Sequence, residues 1–298
     1  MHAPAPSCGR RRRRKHKLEN LVFLAVLFAA LCHAGWNALI KVGLDPLSTT
    51  TLISIGSGLV ALVLLPFTGA PAWAAWPWLI VSVVIHLGYF AALIEAYRTG
   101  DLGQVYPIAR GSAPLMTATA TTFLVGERLT FVGWAGIVAL VAGVFLLSAR
   151  GGRELVKIDR RAVGFALMTA LTICTYSVVD GIGARLAINP NAYSLSLFVG
   201  IAVVMVPYAL YRDGRDVIPA MQSYWRRGFA GGALQVLSYG TVLWAMTLAP
   251  IAIVATLRET SVLFGAGIAV VVLKEPLRAV RIGAALLIVA GLILIRLQ

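Results

Sequence analysis

Gly100-Asp101-Leu102-Gly103-Gln104-Val105-Tyr106-Pro107-Ile108-Ala109-Arg110-Gly111-Ser112-Ala113-Pro114, continuing through Gly126-Glu127-Arg128-Leu129 to Gly143, decides the reading of this chain because it occurs twice. Shifted by 148 residues without a gap, Arg110 falls on Arg258, Leu115 on Leu263, Glu127 on Glu275, Leu129 on Leu277, and Val141-Ala142-Gly143 on Val289-Ala290-Gly291. Both arginines interrupt apolar segments long enough to cross a bilayer. A charge in such a segment costs about 2.5 to 3.5 kcal/mol on insertion scales, so it usually faces a bundle interior or a watery cavity. Matched arginines in two halves predict a central polar site built by a duplicated membrane unit.

The surrounding composition agrees. The chain is 59% hydrophobic and 13% charged, with a mean hydropathy of +0.84, which excludes an ordinary water-soluble domain. Ten apolar stretches of about 17 to 25 residues can be cut from it, joined by connections too short to hold a soluble domain. Their apolar runs are continuous and not alternating, which excludes a β-barrel. The predicted fold is all-α integral membrane, with ten transmembrane helices in two five-helix repeats.

The net charge of +14 suggests nucleic acid at first sight, but seven of the cations (Arg10 to Arg14, Lys15 and Lys17) sit in one short tail with no folded basic surface behind it. No nucleic-acid partner is expected. Cys8 lies in the tail while Cys32 and Cys174 lie in apolar segments, which supports neither a disulfide nor a metal site. No cofactor and no metal are expected. Residues 1–19 combine Pro, Ser and the basic run and are expected to be disordered. They imitate a signal peptide, but the apolar run continues past Cys32-His33-Ala34, against cleavage there. A topology signal or anionic-lipid contact and a merely solvated leader are both open readings of this tail.

The polar residues of the apolar segments follow helical spacing. In the first, about 20–40, His33, Asn37 and Lys41 recur every four residues beside Trp36. The second, about 47–65, carries Gly56-Ser57-Gly58, small residues that permit close helix packing. Trp73, Trp76 and Trp78 read as an interfacial belt opening the third span, which runs to about Tyr97. On that span His86 and Tyr89 share a face, whereas Glu95 points away and has Arg98 within reach at i+3. The fourth, about 103–125, stacks Gly103, Pro107, Arg110 and Pro114, and its prolines predict a local break lining a cavity. The fifth, about 131–148, reads as a packing helix with Gly133, Gly136 and Gly143.

The loop 150–161 is the natural boundary, dividing a first repeat at 20–149 from a second at 162–298. In the second repeat, the span at about 162–182 repeats a polar stripe with Thr172, Tyr176 and Asp180. The next is about 192–211, with a kink expected at Pro207. The eighth groups Gln235, Ser238 and Tyr239, and Tyr239 takes the place Tyr89 has in the first copy. The ninth, about 250–273, bears Arg258 and Glu259, and the tenth, about 278–296, closes the copy with Gly283 and Gly291. Glu259 stands where the first copy has Gly111. Adjacent helical residues do not face one another, so Arg110 is the expected partner of Glu259 in preference to Arg258. The glycines of the fifth and tenth spans suit either internal packing or a dimer, leaving monomer or homodimer open.

Five spans per repeat is an odd number, so the second copy enters the membrane in the opposite sense and both termini share one side. The basic tail places that side in the cytoplasm. That orientation puts the cations of the loops at 150–161 and 212–227 outside, a conflict the charge pattern alone does not settle.

On Gly100-Asp101 through Arg110-Gly111, Gly126-Glu127-Arg128-Leu129 and Lys274-Glu275-Pro276-Leu277, over about 20–297, the chain resembles an EamA-type member of the drug/metabolite transporter superfamily. The resemblance implies two inverted five-helix halves, cytoplasmic termini, a multi-pass location in the bacterial inner membrane, and proton- or gradient-coupled export of small metabolites such as amino acids. It also implies a central cavity. Its substrate-binding residues here would be Trp36, Asn37, Tyr89, Tyr106, Arg110, Tyr176, Tyr239 and Arg258, with Glu127 and Glu275 structural. The basic tail has no counterpart in that pattern.

Expected partners are the lipid bilayer, a small-molecule substrate and protons as a candidate coupling ion. Glu95, Asp180 and Glu259 are the candidate proton carriers. The matched arginines suit an anionic group, and no phosphate loop signals ATP-driven pumping. Uptake of a small anionic metabolite is the alternative to export, and an uncoupled channel or scramblase is a further one. An enzyme is disfavoured, because His33 and His86 are too isolated to form a catalytic constellation.

Overall fold

The computed structural model describes residues 8–40, 45–99, 102–148, 160–271 and 279–298, and their regular structure is all helical. In chain order the helices are α1 (Cys8–Ile40), α2 (Pro46–Thr68), α3 (Trp76–Thr99), α4 (Leu102–Ala120), α5 (Phe131–Ser148) and α6 (Arg160–Leu186), then α7 (Pro190–Asp213), a short α8 (Val217–Gln222), α9 (Trp225–Met246), α10 (Ile251–Arg258), α11 (Ser261–Val271) and α12 (Ala279–Leu297). Among the described residues seven stretches are long and apolar enough to cross a membrane: Glu19–Leu39, Leu47–Thr68, Trp73–Ala96, Arg160–Leu186, Pro190–Pro219, Ile251–Ile268 and Ala279–Leu297. A shorter apolar helix spans Phe131–Leu147.

Local chemistry sets the helix starts. Asp45 caps α2, its carboxylate accepting the N–H groups of Leu47 at 2.9 Å and Ser48 at 3.1 Å, with Pro46 opening the helix. Asn189 does the same for α7 ahead of Pro190.

The polarity of the bundle is inside out relative to a soluble protein. Val63, Val84, Leu286 and Ile293 are exposed on its exterior, whereas Asp180, Arg258 and Glu259 are buried within. Apolar residues on the outside are stable against hydrocarbon, and charges inside are stable only when paired. Helix α5 packs on α12, α3 on α6, α2 on both α7 and α9, and α1 on α9. Two of these crossings need glycine. A methyl group on Gly136 would lie 2.9 Å from the carbonyl oxygen of Gly291, and one on Gly232 of α9 would lie 2.3 Å from the amide nitrogen of Ser57 on α2. Gly136, Gly143 and Gly291 thus pack α5 against α12 within one chain.

Three expectations are corrected. The basic run, expected in a disordered tail, is continuous with α1, which begins at Cys8; Arg and Lys are good helix formers and extend the apolar helix behind them. The fourth segment is not broken at Pro107 or Pro114: α4 runs to Ala120 and ends in a π-helical turn at Thr121–Val125. The interruption falls instead in the ninth segment, between α10 and α11. There Glu259, Thr260, Val262 and Leu263 donate their N–H groups to carbonyls three residues back, and this tighter winding rotates the chain away from the α-helical path. Lys41, Glu275 and most of the 150–161 loop lie outside the described residues.

Candidate functional site

The α10–α11 interruption places Arg258 and Glu259 in the middle of the bundle, facing Arg110 of α4. Arg110 Nη1 donates to Glu259 Oε1 at 3.4 Å, and its Nε lies 3.4 Å from Oε2. Arg258 Nη2 donates to the same Oε1 at 3.5 Å. Glu259 therefore lies between both matched arginines. The expected Arg110–Glu259 pair is present; Arg258 joins it, which the sequence reading did not expect, because residues 258 and 259 straddle a helix end and do not follow helical spacing. Arg110 also donates to His33 Nε2 of α1 at 2.5 Å. An arginine can only donate, so this nitrogen accepts and a neutral His33 carries its proton on Nδ1. His33 in turn meets Trp36 edge to face, ring centres 5.1 Å apart.

A second constellation adjoins the first. Asp180, expected near a helix end, is fully buried within α6. It accepts the hydroxyls of Tyr193 of α7 at 2.9 Å and Tyr239 of α9 at 2.6 Å. His86 of α3 stacks on Tyr176 at 4.4 Å and stands edge-on to Tyr239. Its Nδ1 lies 2.9 Å from the carbonyl of Ser82, to which it donates. Tyr89 meets Tyr176 edge to face at 5.7 Å. The guanidinium of Arg258 joins the two groups, lying 5.9 Å from the Tyr176 ring centre and 6.0 Å from that of Tyr239, distances at which a ring face attracts a cation.

Of the residues singled out in the sequence, Trp36, Tyr89, Arg110, Tyr176, Tyr239 and Arg258 therefore lie in one linked network with Asp180 and Glu259. Asn37 is exposed, and its amide donates to the carbonyl of His33. The side chain of Tyr106 lies outside those described. Glu95 is elsewhere. It accepts from Arg212 of α7 at 2.6 Å, a partner distant in sequence; the side chain of Arg98, expected at i+3, lies outside those described. Sequence reasoning passed over Tyr193, which carries no periodic signal. His33 and His86 also belong to the network, where the His33 stripe and the shared face of His86 and Tyr89 are the sequence signals that point inward.

The network includes buried polar atoms that lack hydrogen-bond partners: Trp36 Nε1, Arg258 Nε and Glu259 Oε2. An unsatisfied buried donor costs about 1 to 3 kcal/mol, so such atoms mark a place where a polar ligand would be stabilised. Among the described residues no group of three or more His, Cys, Asp or Glu side chains could hold a metal ion.

A helical bundle with lipid-facing apolar residues outside and paired charges within is a multi-pass membrane protein. The model of the EamA-like transporter family matches residues 20–149 and again 160–297. This chain belongs to that family.

Among curated proteins, spermidine export protein MdtI of Klebsiella pneumoniae is 40% identical over 68 residues, covering 23% of this chain and 62% of that protein. MdtI of Yersinia enterocolitica is 34% identical over 71 residues, covering 24% of this chain and 65% of that protein. A solved structure, described only as the crystal structure of a protein, superposes with a TM-score of 0.75 at 20% identity over 93% of this chain and 96% of the other. That likeness concerns the fold.

Proposed function

We propose that this transporter is a secondary carrier, an exporter of small metabolites such as amino acids, working by alternating access around a midplane site. The observation that carries the reading is the Arg110–Glu259–Arg258 cluster. Two guanidiniums share one carboxylate, leaving a positive charge that an anionic group of the solute can neutralise. Tyr89, Tyr176, Tyr239 and Trp36 pack its apolar part, and Asn37 and Tyr106 complete the proposed binding set. Of the proton carriers considered, Glu259 and Asp180 lie inside the network, while the Glu95 carboxylate is committed to Arg212.

The carrier is read as ten membrane helices in two inverted repeats, 20–149 and 162–298, joined by 150–161 and preceded by the tail 1–19. Seven of these helices meet the length and hydropathy requirement, and α4, α5 and α9 supply the rest. The packing supports the repeat: exchanging α1 with α6, α2 with α7 and α3 with α9 turns the α3–α6 contact into α9–α1 and the α2–α9 contact into α7–α3. Glycines already engaged between α5 and α12 support a complete carrier in one chain. The bacterial inner membrane, with cytoplasmic termini, is the proposed location.

The curated relatives, named as spermidine exporters, favour a second reading in which the cargo is a polyamine. Asp180 beside its tyrosines is the feature that suits it, and Arg110 and Arg258 oppose it.

Proteoliposomes tested with a panel of amino acids and with spermidine, with and without a pH gradient, decide between them. Saturable counterflow of amino acids supports the first reading and saturable counterflow of spermidine the second. Non-saturating leak independent of the gradient overturns both in favour of a channel or scramblase.

A further inference from the structure

Glu127 belongs to the first matched unit but binds the second. After α4, Gly126 adopts a left-handed conformation (φ 76°) and turns the chain so that Glu127 faces α10. Its Oε1 accepts the N–H of Ile251 at 2.8 Å, and its Oε2 accepts the N–H of Ala252 at 3.2 Å. These are the first two residues of α10, where N–H groups lack intrahelical partners and the helix dipole favours an anion. Arg185, near the end of α6, completes the junction. Its Nη2 donates to Glu127 Oε1 at 2.9 Å and to the carbonyl of Ala249 at 3.1 Å, while its Nε donates to the carbonyl of Met246 at 2.9 Å.

This junction is in register with the binding network. Helix α10 is eight residues long, about 12 Å at 1.5 Å per residue; Glu127 holds its first turn and Arg258 ends its last. A displacement at Glu127 is therefore carried along a short rigid rod to Arg258 and Glu259.

The opposite end of the bundle is built differently. There α6 begins with Arg160 and Arg161, about 36 Å along the helix from Arg185. Between α3 and α6 at that end lies an open groove of about 530 Å³, lined by Ala91, Glu95, Phe165 and Met168 among others. The cross-unit carboxylate there, Glu95, is more exposed, at 36%, than Glu127 at 8%, whereas their partners Arg212 and Arg185 are 21% and 33% exposed.

We propose that Glu127 is a positioning residue for the Arg258–Glu259 pair and, with Arg185, the latch that holds one end of the carrier shut while the other admits solute. The proposal rests on the transport reading above. Alternating access then requires release of the Ile251 and Ala252 amides and of Arg185 from one carboxylate.

The test is side-specific labelling. Ala255 lies one helical turn from Arg258 toward the latch. Ala255→Cys, in a chain whose native cysteines are replaced by alanine, is exposed to a membrane-impermeant maleimide in vesicles of each orientation. With Glu127 intact, reaction from the groove end predominates. Glu127→Gln and Arg185→Gln each raise reaction from the latch end by about tenfold, as expected when charge-assisted bonds are removed from one state only. Where either variant fails to fold, Arg185→Lys, which keeps the charge and loses the forked contacts, carries the same test. Folded variants that react like the parent overturn the latch and leave the transport reading intact. A parent that reacts from neither end overturns both, because no chamber then reaches Arg258.

Discussion

Arg110 and Arg258, the two cations matched across the sequence repeat, share a single carboxylate, that of Glu259, at 3.4 Å and 3.5 Å. All three residues are buried, so the cluster is stable only while its charges remain paired, and that condition makes it sensitive to substitution.

Glu259→Gln leaves two guanidiniums facing each other without their counter-charge. Breaking one partner of a buried ion pair costs about 3 to 5 kcal/mol, and a marked fall in thermal midpoint in detergent is expected. Adding Arg110→Gln to Glu259→Gln recovers part of the loss, because the like-charge contact is then removed. A single variant as stable as the parent would show that Glu259 does not hold the cluster together.

Arg110→Ala abolishes carrier-mediated counterflow in proteoliposomes while the protein still elutes as a folded species. Arg258→Lys keeps the charge but loses the planar fork and the contact with the Tyr176 and Tyr239 rings, so it retains only a small fraction of the flux. Unchanged flux in both variants returns the arginines to a purely structural role.

Asp180→Asn removes the charge that accepts the Tyr193 and Tyr239 hydroxyls. Hydrogen bonds to a charged group are worth about 1.5 to 3 kcal/mol, and a double-mutant cycle of Asp180→Asn with Tyr239→Phe should show coupling within that range. Additive effects would place Tyr239 outside the Asp180 network.

Glu95→Gln provides the contrast. Its pair with Arg212 is partly solvent exposed, and such pairs contribute about 0 to 1 kcal/mol. Little change in thermal midpoint and no loss of flux are expected. A loss of flux as large as that of Arg110→Ala would make Glu95 part of the transport machinery.

The pH dependence is readable at Asp45, at the edge of the membrane segment. Burial pushes its carboxyl up, and hydrogen bonds from Ser48 and from the Ser48 and Leu47 amides more than offset this, holding it below the ordinary aspartate value. A carboxyl lowered by folding contributes stability above its unfolded pKa, and that contribution is lost as pH falls through the folded value. Asp45→Ala should therefore cost about 0.5 to 2 kcal/mol at neutral pH, with the difference from the parent shrinking in acid. A difference that is constant with pH would show that the cap does not depend on the carboxylate.

The duplicated pattern, the apolar run lengths and the placement of Arg110 and Arg258 within them were legible in the sequence, because the membrane imposes one-dimensional rules: a span needs a certain length of apolar residues, and a charge inside it needs a reason. The family followed from the same local features. Of the charge pairs, only Arg110–Glu259 was legible there. Glu259 binds both arginines because the chain changes its winding between Thr256 and Leu263, a departure from helical spacing that residue identities alone do not specify. Asp180 meets Tyr193 and Tyr239, Glu95 meets Arg212, and Glu127 meets the start of α10 through contacts between helices far apart in the chain. Such contacts depend on crossing positions and rotations, which are set by the close approach of glycines such as Gly136 and Gly291 in the assembled bundle.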